Sequence, residues 1–299
     1  MIKLYLILFI IFFLGQTSTF SKVSDKIDFN PKYLSNYLSA IILKNNYKSE
    51  ESLKYFNSSK TLIDEHRRYL NNYVITLVNS GNVKKSIQLI KKNKENKNFF
   101  EADLLLIVEN IKKKKFNENI EILNNINKHR NNGNHQYIIY EVLKSYNNLF
   151  INKKISLNPD RNFGKLSLIN EAFQLCYLKN KESNNKFLNL INSAENNYSR
   201  YLYFYLNNLV ANNEFENLNQ ISNSINVLDS NLLIQQSKNW IENSQYNKFN
   251  RFFSCENEED IIAEFFFLIS NYLAADKKFQ QSIFYSNISY YLNPKFYFN

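Results

Sequence analysis

The residues best equipped for chemistry are few, and their spacing does not suit it. There are three histidines, His66, His129 and His135. The last two bound the stretch HRNNGNH, six positions apart across Gly133, whereas a helical zinc site needs two imidazoles on one face; the stretch reads as an exposed loop. His66 precedes a helical pattern beside Arg67 and Arg68 and is expected to cap it or face solvent. Cys176 lies within a helical pattern with no histidine at helical spacing, so a Cys–His nucleophile has no support. Cys255 follows 79 positions later. Two cysteines make no disulfide framework, and both are expected as small buried hydrophobes. Glu256, Glu258, Glu259 and Asp260 could hold a hard cation or act as paired carboxylates. With Asn257 among them they read instead as a helix N-terminus, where a capping amide and first-turn acids meet unpaired N–H groups and the positive end of the dipole. The four glycines, at 15, 81, 133 and 164, are too scattered for a phosphate-cradling loop. No catalytic residue, metal or cofactor is expected.

The chain carries a formal charge of +10, but only six of its 37 basic residues are arginine. Arginine forks are the usual readers of phosphates and base edges. Lys, Asn, Ile, Phe and Tyr are abundant and Gly, Pro and Trp scarce, a bias of A/T-rich codons that accounts for the basicity without a nucleic-acid ligand. The densest basic run, Lys112 to Lys115, suits the C-terminal end of a helix. No specific nucleic-acid partner is expected.

Residues 1–21, MIKLYLILFIIFFLGQTSTFS, combine one lysine, an unbroken apolar run from Leu4 to Leu14 and a small-polar stretch. That is the pattern of a secretory signal peptide cleaved before Lys22, with Thr19 and Ser21 as the small residues. The mature chain is then expected in the periplasm. The run is short for a bilayer, which needs about 20 apolar residues; the alternative is an uncleaved segment anchoring the chain in the inner membrane.

From Asn30 onward apolar residues recur every three or four positions and alternation is almost absent, so the chain reads as all-α. Helices are expected over about 31–45, 48–63, 67–80, 83–96, 99–113, 116–128, 136–151, 165–179, 183–196, 199–212, 215–227, 230–243, 258–276 and 278–292. Short links force antiparallel neighbours. Aligned on Ala40, Val74, Ile107, Tyr140, Ala172, Leu206, Trp240 and Ser270, every second helix recurs at steps of 34, 33, 33, 32, 34, 34 and 30 residues.

This pattern resembles the tetratricopeptide repeat family, in its exported bacterial form, whose unit is two antiparallel helices in 34 residues. Ala40, Ser52 and Ser59 fall at the small positions of the first unit with Phe56 between the serines; Gly81 falls at the turn of the second; Pro294 closes the last. The resemblance implies an α-solenoid, a right-handed superhelix of stacked helix pairs. INKKISLNPDRNFGK interrupts the pattern. The expected organisation is therefore a signal peptide (1–21), an N-terminal arm (22–150), an irregular linker (151–165) and a C-terminal arm (166–299) whose final aromatics, Phe296 to Phe298, begin an uncapped helix open to self-association.

What the resemblance implies for function is a non-enzymatic scaffold or adaptor of the cell envelope, holding a protein or peptide ligand in its concave groove. Carried over to this chain, that groove includes Tyr37, Ile41, Lys44, Asn45, Arg68, Asn71, Asn79, Leu104, Val108 and Lys112. Exported superhelices also occur in soluble lytic transglycosylases. Glu182 and Ser183 echo their catalytic pair, but ESNNKFLNL lacks the following glycine, which leaves only the accessory region of such a cell-wall-acting enzyme as an alternative.

Overall fold

The computed structural model describes residues 30–66, 68–93, 99–129, 135–157, 162–192, 199–226 and 230–296. The signal-peptide assignment, the centre of the HRNNGNH loop, Pro159 and the last three residues lie outside these. Within them the protein is all-helical, with no strand: α1 (Pro31–Asn45), α2 (Ser49–Ser58), a 3-10 turn (Lys60–Ile63), α3 (Tyr69–Asn79), α4 (Val83–Lys92), α5 (Phe100–Lys112), α6 (Glu118–His129), α7 (His135–Asn152), α8 (Lys165–Tyr177), α9 (Glu182–Asn192), α10 (Ser199–Ala211), α11 (Phe215–Ser224), α12 (Leu232–Glu242), α13 (Asn247–Phe252), α14 (Glu258–Ala275) and α15 (Phe279–Leu292). No helix among the described residues is long and apolar enough to cross a membrane. The short helix α13 is absent from the sequence pattern, because six residues are too few to carry a period.

One local motif punctuates the chain. Among the described residues seven helices, α1, α3, α5, α8, α10, α12 and α14, end in the same turn, in which a left-handed residue reverses the backbone. Its N–H donates three residues back over 2.9–3.1 Å, and the next N–H donates five back over 2.7–2.9 Å, the paired bonds of a Schellman cap. The left-handed residues are Tyr47, Gly81, Lys114, Lys179, Asn213, Ser244 and Lys277; Lys153, after α7, shares the conformation but leads into no helix. Only one of the seven is glycine, although a side chain at positive φ costs about 1 kcal/mol. The turn recurs because satisfying a helix's last carbonyls outweighs that strain.

Small residues let the paired helices approach. Buried Ser52 donates to the Ala40 carbonyl of α1 over 2.7 Å, and Ser270 donates to the Ser282 carbonyl across the last pair over 2.9 Å. Tyr37, Phe56, Tyr69 and Tyr73 form an aromatic cluster among α1, α2 and α3. A second, much larger core extends from Leu70 to Phe296 and crosses the irregular stretch between α7 and α8, where the rings of Phe150 and Tyr177 lie 5.3 Å apart. Apolar packing is thus continuous between α7 and α8, on either side of the expected linker.

Two features run against the sequence expectation. Cys176 and Cys255 are joined in a disulfide, which ties the end of α8 to the segment leading into α14; separation along the chain carries no information about distance once helices stack back on one another. The C-terminal hairpin of α14 and α15 does not sit at an open end. It packs on α3, α4 and α5, early in the chain, and Phe296, expected to start a further exposed helix, is buried against Tyr203, Phe204 and Phe253. The hairpin fits there because α14 is strongly apolar: Ile261, Ile262, Phe265, Phe266, Ile269 and Leu273 are all buried, the mark of a core helix.

Replacing Ser244 or Lys277 singly by glycine is expected to stabilise the fold by about 0.5–1 kcal/mol, and Gly81→Ala to destabilise it by a similar amount, as read by urea titration. Reduction of the Cys176–Cys255 bond, which joins residues 79 positions apart, is expected to lower the unfolding free energy by up to about 4 kcal/mol, measured with and without reductant.

Candidate functional site

The ten positions expected from sequence to form a concave binding face lie on α1, α3 and α5 and their flanks, and they do not form one open surface. Asn45 and Arg68 are exposed; Ile41, Lys44, Asn71, Asn79 and Lys112 are half-buried; Tyr37, Leu104 and Val108 are buried. Tyr37 belongs to the aromatic cluster, its hydroxyl accepting from Asn72 over 3.1 Å. Leu104 and Val108 lie wholly inside the larger core. The expectation that these three side chains meet a ligand is corrected: the chain's own packing covers them.

The C-terminal hairpin also engages the polar members of the set. Asn79 donates to the Gln280 carbonyl over 3.3 Å, and the Gln280 amide donates to the Lys44 carbonyl over 2.9 Å. Lys112 reaches both ends of the hairpin, pairing with Glu259 at 3.0 Å, donating to the Tyr291 carbonyl over 3.1 Å and lying over the Tyr291 ring. The Lys44 ammonium donates to Asn72 over 2.6 Å. Burial holds Lys44 below its usual value, with Glu101 opposing, while burial raises Glu101.

The acids before and within α14 have a second role beyond capping. Asn257 accepts from the Glu259 N–H over 3.1 Å, as a helix cap should. Glu258 accepts from the Tyr177 hydroxyl over 2.7 Å and lies 3.7 Å from both Lys114 and Lys153; Glu256 pairs with Lys179 at 2.8 Å. Lys114, Lys153 and Lys179 are the left-handed residues that follow α5, α7 and α8, so one helix N-terminus gathers the cations of three turns. Further along, buried Glu264 takes a bidentate pairing from Arg200, whose guanidinium stacks 4.0 Å from the Phe267 ring centroid and 4.7 Å from that of Phe296. The partners of Glu264 and Glu259 are 64 and 147 positions away, which is why the local sequence suggests only a cap.

The other sequence candidates are dispersed. His66 is half-buried before α3; its ring packs against Tyr37 with centroids 4.7 Å apart, and its carbonyl accepts from the Tyr69 N–H over 2.8 Å. His135 packs edge-on to Tyr285, and burial lowers its imidazole pKa. Among the described residues no cluster of His, Cys, Asp or Glu has the arrangement of a metal site. No protein-family model, curated protein or solved structure matches the chain.

Asp260 offers a test of the hairpin's electrostatics. It accepts from the Ser254 N–H over 2.9 Å, but burial, with Glu259 adding to it, pushes its carboxyl up to about 6. The folded chain then keeps a proton that the unfolded chain has lost, so this contribution to stability is fully present below about pH 4 and disappears as pH rises through about 6. Asp260→Asn is expected to gain stability over the native protein between pH 4 and pH 7 by on the order of 2 kcal/mol, in paired urea titrations at the two pH values.

Proposed function

We propose that the protein is an exported, non-enzymatic helical-repeat scaffold of the tetratricopeptide type, working in the bacterial cell envelope by holding a segment of another protein. The observation that carries this reading is the recurring turn: seven caps of one kind, spaced by roughly one repeat length through most of the chain, each reversing a helix onto its successor. Contacts between the second helix of one pair and the first of the next, as in α2 with α3, α4 with α5, α9 with α10 and α11 with α12, support a solenoid built from such pairs. The Cys176–Cys255 bond supports export, since disulfides persist in oxidising compartments. In this reading the solenoid curls around its last pair, and the part of the concave face left for a partner is the edge at Asn45, Arg68 and Asn71.

The reading predicts that an alkaline phosphatase fusion to the C-terminus is active, which requires passage out of the cytoplasm. It also predicts that a photo-crosslinking amino acid at Arg68 or Asn71 gives a discrete protein adduct in cells, whereas one at exposed Gln220 does not. An inactive fusion, or adducts indistinguishable among the three positions, would overturn it.

A further inference from the structure

The first two helix pairs carry a cleft of about 630 Å³ to which the C-terminal hairpin contributes no wall. Helix α4 forms one side. Its sequence, VKKSIQLIKK, has four lysines and no acid, and helical geometry puts Lys85, Leu89 and Lys92 on the face that lines the cleft. Opposite stand Leu53 of α2 and Ile63 of the 3-10 turn, with Lys60 at the rim, its ammonium 6.0 Å from the centroid of the Tyr73 ring.

Charge is unbalanced here in a way it is not on the next face. Lys91 turns to Glu109 of α5, and Glu109 also takes Lys113 at 2.7 Å. Lys60, Lys85 and Lys92 have no carboxylate partner among the described residues. The one acid in the lining, Asp64, already has an interaction of its own. Three cations around a trough of leucine and isoleucine ask for a ligand that is anionic at intervals and apolar between them. A nucleic acid fits less well: Tyr73 is only 4% exposed and its hydroxyl is held by Asn57, so no ring is offered for base stacking, and the lining has no arginine.

We infer that this cleft binds a short acidic segment of a partner polypeptide in a polyproline-II conformation. Lys85 and Lys92 are seven residues apart on a helix, about 10 Å along its axis. A polyproline-II chain rises about 3.1 Å per residue and brings every third side chain to the same side, so carboxylates at positions i and i+3 sit about 9 Å apart and meet the two ammonium groups. The apolar residue between them rests on Leu89 and Leu53. The inference deepens the reading of the protein as a polypeptide binder and rests on it for the class of ligand, but it concerns a surface separate from Arg68 and Asn71.

The test is fluorescence anisotropy with the full chain and two fluorescein-labelled peptides, Glu-Leu-Pro-Glu-Leu-Pro and its counterpart with glutamine for glutamate, at low ionic strength. The acidic peptide is expected to bind at least tenfold more tightly than the neutral one. The double variant K85E/K92E should lose about tenfold in affinity for it, with circular dichroism unchanged because both side chains are exposed, and K248E should bind as the native chain does. Equal binding of the two peptides, no binding of either, or indifference to K85E/K92E would overturn the proposal. So would a dodecamer of thymidylate that binds more tightly than the acidic peptide and loses its affinity in K85E/K92E, since that assigns the cleft to nucleic acid. Crosslinks at Arg68 that persist while the peptides fail to bind would reject this site and leave the scaffold reading standing.

Discussion

The burial of α14 is the constraint on which the rest of the architecture depends. An 18-residue helix carrying Ile261, Ile262, Phe265, Phe266, Ile269 and Leu273 cannot lie on a surface: each such side chain contributes about 1.5–3 kcal/mol when removed from water. The apolar surface that receives it is the inner side of helices that precede it. Hence the hairpin meets α3, α4 and α5, Phe296 closes over α10, and the acids that would be left in a dry interior need cations. Arg200 meets Glu264 and the turn lysines meet Glu258 for that reason; a buried carboxylate without its partner costs several kcal/mol.

Most of the helices are legible in the sequence because each presents a strong local period and is bounded by short polar links. The bounds agree to within a few residues; the single helix expected over 48–63 is divided in the structure between α2 and a 3-10 turn. The burial of Leu104 and Val108 is not legible. Leu104 and Val108 lie on α5, whose packing partners include α14, some 150 residues later in the chain. A clue is present: IIAEFFFLISNYLAA lacks a broad polar face, unlike VKKSIQLIKK. Read only for its period it looks like one more repeat, whereas read for its missing polar side it is a helix that must be enclosed.

The same distinction explains the cysteines and the acids. The pattern around Cys176 rightly puts it in a helix core, yet its partner lies across the fold. The pairing depends on how the helices from α8 to α13 curve, which no local pattern encodes. The acids at 256–260 look local too, and Asn257 does cap; the ion pairs with Lys114, Lys153 and Lys179 are added by tertiary packing. Conversely, the unpaired lysines of α4 gain meaning only from what surrounds them. A basic helix is a solvated face until a cleft with an apolar floor is found beside it.

Seen as an order of events during synthesis, the placement of α14 has a cost. The helices on which the hairpin packs, α3, α4 and α5, precede it in the chain, so they emerge with the apolar surface that will receive it still open to water, and that surface stays adhesive until the hairpin arrives. The disulfide shortens that interval. Cys255 comes three residues ahead of α14, and once it is joined to Cys176 the start of the incoming helix is tethered beside the three lysine-bearing turns that receive its acids. The final docking then becomes the closure of a hairpin already held at one end, in place of a search by a free chain.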